Sequence, residues 1–205
     1  MSHFDQSAAT WDANPIHFER SNAIAEQIIR KIPLHKGMSA LEFGAGTGIL
    51  SFLLKDYIRE ITLMDSSREM VRVIEEKIRN TNLTHMEPVF FDLETTDYRA
   101  KTFDLIFTQM VLHHIEDVEA IINKFYLLLN AGGSIVIADL YPEDGTFHSH
   151  KFTGHFGFNL EDLTQLLDKA GFSNITHEQC FIIRKQIANG DVRDFPVFIL
   201  TAAKS

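Results

Sequence analysis

Three sets of residues in this chain have the types and spacing to do chemistry. The first is Glu42-Phe43-Gly44-Ala45-Gly46-Thr47-Gly48, three glycines in five residues following the apolar run Ser39–Phe43. Glycines so placed let the backbone turn tightly and let a ligand come up against it, at the start of a helix whose N-terminal dipole suits an anion. The second set is the polar residues that close the later apolar runs: Asp65-Ser66, Asp92-Leu93 and Gln109-Met110. Carboxylates there can accept hydrogen bonds from hydroxyls or amines of a ligand. The third set is five histidines, His113 and His114 after one run and His148, His150 and His155 in the segment after the next. Imidazole titrates near neutral pH, so His113 or His114 is the candidate base or orienting group for an acceptor that must lose a proton.

Several familiar sites are excluded by spacing. A dinucleotide fingerprint wants G-x-G-x-x-G, but here the third glycine falls one residue early, at Gly48, and Ile49 holds the expected place. No Gly-Lys-Ser/Thr closes the turn as in a phosphate-binding loop, and no Tyr-x-x-x-Lys pair marks a nicotinamide oxidoreductase. His148-x-His150 with His155 meets no conventional zinc spacing, and Glu143 and Asp144 beside it fix no geometry, so the expectation is no metal. The single cysteine, Cys180, excludes an internal disulfide and points to a reducing compartment. Each motif also has a plainer reading: a bare strand-to-helix turn, a helix cap at Asp65-Ser66-Ser67, histidines satisfied locally, a polar mobile loop.

The elements that must hold these residues alternate. Ser39–Phe43, Ile61–Met64, Val89-Phe90-Phe91, Phe103–Thr108 and Ser134–Leu140 read as strands, with Ala131-Gly132-Gly133 as the turn before the last. Between them, helical stripes run through Ile49, Phe52 and Leu53, through Met70, Val73, Ile74 and Ile78, and through Val118, Ile121, Ile122, Phe125, Leu128 and Leu129. Strands alternating with amphipathic helices imply βαβ units and a parallel sheet covered on both faces. Asn159 caps a further helix that ends at Gly171, and Ile175–Ile183 and Phe195–Ala203 are near enough to pair as an antiparallel edge hairpin.

Residues 1–36 form a helical cap in which Ile24, Ile28 and Ile32 make one apolar face stopping at Pro33. Before that face, Phe4, Trp11, Pro15 and Phe18 break up a less regular segment, its aromatics read as packing or as a lid. Residues 141–158 are a lid-like loop or a short inserted helix. The whole chain, 1–205, is read as one domain. A formal net charge of −9 leaves no basic footprint for nucleic acid or anionic membrane, and the start of the chain lacks a signal pattern. The expectation is a cytoplasmic protein with a small-molecule partner and an open oligomeric state.

The acid two residues before the glycines, the span 39–140, Leu112-His113-His114-Ile115 and Gly132-Gly133-Ser134-Ile135-Val136-Ile137 together resemble the class I S-adenosylmethionine (SAM)-dependent methyltransferases, near the ubiquinone and menaquinone methyltransferase group. The resemblance implies a doubly wound, seven-stranded, mainly parallel sheet in the order 3-2-1-4-5-7-6. It implies a SAM site at Glu42, Gly44, Ala45, Gly46, Gly48, Asp65, Ser66, Asp92, Leu93, Gln109 and Met110, with Trp11, His148, His150 and His155 toward the acceptor. The Asn/Asp-Pro-Pro-Tyr signature for planar nitrogens is missing after the fourth strand, and Ala131 stands where the family has proline. A non-catalytic SAM-binding regulator on the same fold is the alternative.

Overall fold

The computed structural model describes residues 3–148 and 152–205, with the side chain of residue 3 outside the description. Seven strands form one sheet: β1 (Ser39–Phe43), β2 (Glu60–Asp65), β3 (Met86–Phe90), β4 (Phe103–Gln109), β5 (Leu129–Leu140), β6 (Phe172–Gln186) and β7 (Val192–Lys204). Their order is β3-β2-β1-β4-β5-β7-β6; β1 to β5 run parallel, and β7 is antiparallel to both β5 and β6. Among the described residues six α-helices accompany them: α1 (His3–Ser7), α2 (Pro15–Lys31), α3 (Ile49–Leu54), α4 (Arg68–Thr81), α5 (Val118–Leu128) and α6 (Leu160–Ala170).

β1 is buried at every position, which requires cover on both faces. On one side Ile24 and Ile28 of α2, Leu50 and Leu54 of α3 and Ile74 of α4 belong to one core with Ala40, Leu105 and Val136. On the other, Ile121, Ile122 and Phe125 of α5 and Leu163 and Leu167 of α6 belong to a second core with Leu41, Ile106 and Ile135. Neighbouring residues of one strand fall into opposite cores, as the two-residue period of a strand demands. All five parallel strands therefore end on one edge of the sheet, and the polar residues there share one crevice.

Three local expectations change, and the alternative left open for residues 141–158 resolves to the loop. The segment ahead of α2 is helical: Ala8–Ala13 is a 3₁₀ helix, and Asn14 caps α2 by accepting from Ile16 N at 3.3 Å, with Pro15 in the first turn and Phe18 inside the helix. β3 ends at Phe90, so Phe91 lies beyond it. Ala131-Gly132-Gly133 is a bulge within β5 and not a turn before it, because pairing with β4 jumps from Phe103↔Leu129 to Leu105↔Ser134. Residues 141–158 hold neither helix nor strand where described. Among the described residues, no helix is long and apolar enough to cross a membrane.

Candidate functional site

A cleft of about 540 Å³ opens at the carboxyl edge of the parallel strands. One end is made by the turn after β1. Gly44 (φ +65°) faces Val111 so closely that a Cβ would stand 2.4 Å from its Cγ2. Gly46 (φ +56°) lines the cleft, and a Cβ there would meet no atom within 4 Å. Gly48 (φ +80°) caps α3, and its Cβ would stand 2.9 Å from Leu63 Cδ2; it fits helix to sheet and does not line the cleft. Glu42 also lies behind the lining. It is fully buried, and its Oε2 accepts from Ser51 N at 3.2 Å and from Ser51 Oγ. Burial pushes its carboxyl up to about 8, against the opposing pull of the Ser51 bonds.

Asp65, at the end of β2, accepts through Oδ2 from Gly46 N at 2.7 Å and through Oδ1 from Ser67 N at 2.8 Å. Burial raises it to about 6. The cap of α4 is Ser67, whose Oγ accepts from Met70 N, so Asp65 shapes the turn and faces the cleft together with Ser66. Asp92 and Leu93 line the same end, with Asp92 Oδ1 accepting from Glu94 N at 3.0 Å. Gln109 and Met110 form the floor: the Gln109 amide is paired with Ser21 Oγ of α2, and Met110 holds φ +55°, a strained conformation for its type.

The other end is built round His113. Its Nδ1 lies 2.6 Å from Asp139 Oδ1, both side chains are fully buried, and Asp139 also accepts from the backbone of His113 and Leu140. The carboxylate accepts from Nδ1–H and fixes the ring, which leaves the buried Nε2 turned away from Asp139 with no hydrogen-bond partner. His114 and His148 line the cleft beside it, with ring centroids 4.2 and 5.1 Å from that of His113. His155 stands outside this lining, its Nε2 3.0 Å from Ile115 O, and His150 lies outside the described residues.

Trp11 and Phe4 lie over the cleft, Trp11 stacked on His17 at 4.2 Å and Phe4 edge-on to His114 at 5.1 Å. Ser67 Oγ donates to Asp5 Oδ1 at 2.6 Å, Thr47 Oγ1 donates to Asp12 Oδ1 at 2.5 Å, and Lys77 pairs with Asp12 at 2.5 Å. The N-terminal segment is thereby latched to both the glycine turn and the start of α4.

The sequence pattern did not single out Arg20, Asp139 or Lys185. Arg20 is 7% exposed in the cleft wall, its Nε without a partner, and burial brings it down to about 10 while Asp139 opposes that fall. Lys185 donates to Phe147 O at 2.6 Å, and burial lowers it too. Arg20 carried a signal: it sits four residues before Ile24 and eight before Ile28, a charge on an apolar stripe.

Residues 17–177 match the profile of a family described as "Methyltransferase domain". An uncharacterized methyltransferase of Schizosaccharomyces pombe is 31% identical over 154 residues, covering 67% of this chain and 54% of its own length. The Triticum aestivum phosphoethanolamine N-methyltransferase 1 is 29% identical over 161 residues, covering 75% of this chain and 32% of its own length. This chain thus spans about half the length of the first relative and a third of the second. The crystal structure of Haemonchus contortus phosphoethanolamine N-methyltransferase 2 in complex with S-adenosyl-L-methionine superposes with a TM-score of 0.72 at 16% identity, over 100% of this chain and 60% of that one.

Proposed function

This chain belongs to the class I SAM-dependent methyltransferases, and we propose that it moves a methyl group from SAM to a small organic acceptor bearing an acidic or readily deprotonated group. The observation that carries the reading is one continuous cleft, with the glycine turn and Asp65 at one end and His113, His114, Arg20 and Lys185 at the other.

The residues present fit the cofactor. Gly46 leaves open space where any side chain would intrude, and Asp65 stands next to it with its carboxylate on the lining. In this reading Gly44, Ala45 and Gly46 meet the methionine part with their backbone. Asp65 and Ser66 take the ribose hydroxyls, and Asp92 and Leu93 take the adenine amine and ring edge. Gln109 and Met110 floor the site, while Glu42 and Gly48 hold the turn from behind. Bound there, the cofactor supplies an electrophilic methyl on a sulfonium.

The chain's own work is then alignment and exclusion of water, for which positioning alone is worth up to roughly 7–11 kcal/mol. Trp11, Phe4 and Phe147 wall the acceptor end, the cations Arg20 and Lys185 favour an acceptor with a negative group, and the cluster of His113, His114 and His148 supplies ring nitrogens to orient it. Phosphoethanolamine, named for the wheat relative, is a small molecule with such a group. His148 and Trp11 belong to this end, and His114 assists.

Calorimetry with SAM and with NAD tests the cofactor, and release of S-adenosylhomocysteine across a panel of small phosphorylated, carboxylated and phenolic acceptors tests the reaction. Tight NAD binding with no response to SAM overturns the proposal. Tight SAM binding with no turnover on any acceptor class supports the non-catalytic regulator instead.

A further inference from the structure

We propose that His113, His114 and His148 form a three-histidine site for a divalent transition metal at the histidine end of the cleft. Each offers one ring nitrogen, and the three nitrogens lie within 4.8 Å of one another. Tetrahedral coordination at about 2.0–2.1 Å places imidazole nitrogens roughly 3.4 Å apart, so rotations that close any gap by at most about 1.5 Å complete the set.

Three further observations point the same way. His113 Nε2 is buried and has no hydrogen-bond partner within the protein, a cost that a bound ion would remove. Its Nδ1 is held by the buried Asp139 at 2.6 Å, the carboxylate–histidine arrangement that orients metal-bound imidazoles and raises their basicity. His114 and His148 are only partly buried on the cleft in front of the buried His113, so an ion has a path in past them and a fourth position faces the cleft.

No carboxylate or carbonyl belongs to the ligand set, which selects an imidazole-preferring ion such as zinc, iron(II), cobalt or nickel over magnesium or calcium. Arg20 and Lys185 oppose a further cation, and Asp139 offsets them. The sequence expectation is no metal, because the loop grouping His148-x-His150 with His155 meets no zinc spacing; the set here takes only His148 from that loop, and His155 points at Ile115 O. The existence of the site is independent of the methyl-transfer reading. Its role rests on it: an ion here would hold an oxygen of the acceptor beside the cofactor end and lower that oxygen's proton affinity.

The test is titration of the full chain, stripped with chelator, with cobalt(II) and with zinc. The expected result is one ion per chain, cobalt(II) giving the intense visible bands of four- or five-coordinate nitrogen ligation and zinc displacing it. His148→Gln and His114→Gln each weaken binding at least about 100-fold, Asp139→Asn weakens it roughly 10- to 100-fold, and the exposed His177→Gln changes nothing. SAM calorimetry on every variant reports folding and the cofactor reading separately. Absence of cobalt bands in the SAM-binding wild type overturns the site, as does undiminished binding in both His148→Gln and His114→Gln. Metal binding by a chain that ignores SAM leaves the site standing and removes the proposed function.

Discussion

The backbone N–H of Gly46 donates to Asp65 Oδ2 at 2.7 Å, joining the glycine turn after β1 to the end of the neighbouring strand β2. One carboxylate thus sets the turn and faces the cleft. If it also takes ribose hydroxyls, Asp65→Ala lowers SAM affinity by about 1.5–3 kcal/mol, roughly 10- to 100-fold. Burial holds this carboxyl at about 6, so wild-type affinity declines as pH falls through that value, while Asp65→Asn shows no such step. Calorimetry on both sides of that pH decides it, and unchanged affinity in Asp65→Ala leaves Asp65 as a tie between loops only.

Glu42 gives a stability prediction. Its carboxyl keeps a proton to about 8 in the folded chain and has an ordinary value of 4.5 when unfolded. Between those values the native state binds more protons, so this residue's contribution to stability falls as pH rises across the window. Glu42→Gln, neutral throughout, removes that component. Melting temperatures of both proteins across the window should converge at the acid end and separate in favour of the variant at the alkaline end.

Gly44 and Gly46 share a left-handed backbone but not their surroundings. Gly46→Ala carries only conformational strain, about 1–2 kcal/mol, or a fall in Tm of about 2–8 °C. Gly44→Ala adds the collision with Val111 and falls further, and Val111→Ala in the same chain restores part of the difference. Thermal melts separate the two. Gly46→Ala should nonetheless show the clearer loss of SAM binding for its stability, because it alone intrudes on open cleft.

The latch of Asp12 on Thr47 and Lys77 predicts a kinetic effect. Both charges are partly exposed, at 43% and 28%, so Asp12→Ala costs less than about 1 kcal/mol of stability. Release of SAM should speed up several-fold. Trp11, the single tryptophan, lies in the cleft wall and reports the event by stopped-flow fluorescence. An unchanged release rate means that the N-terminal segment does not retain the cofactor.

Much of this architecture is legible without coordinates. Buried parallel strands are apolar on both faces, so the runs at 39–43, 61–64 and 103–108 stand out, and the stripe through Ile24 and Ile28 marks α2. Strand order came from the family resemblance, since no local pattern encodes which strands pair. What stayed hidden depends on contacts between residues far apart in the chain. Asp139 closes an apolar run in plain view, but its partnership with His113 exists only because β4 and β5 are neighbours. The N-terminal aromatics are held over the cleft by Asp5 meeting Ser67, 62 residues away, and Asp12 meeting Thr47, 35 residues away. The β5 bulge was masked by its glycines, which serve a turn and a bulge alike.

Phe4 reaches the histidine end while Asp5 and Asp12 fasten to the cofactor end, so a single short cover spans the whole cleft. Should Asp12→Ala speed release of SAM, the same cover also governs access at the histidine end. In the proposed reaction, cofactor turnover and acceptor turnover would then share one gate, whose opening rate sets a ceiling on the catalytic cycle.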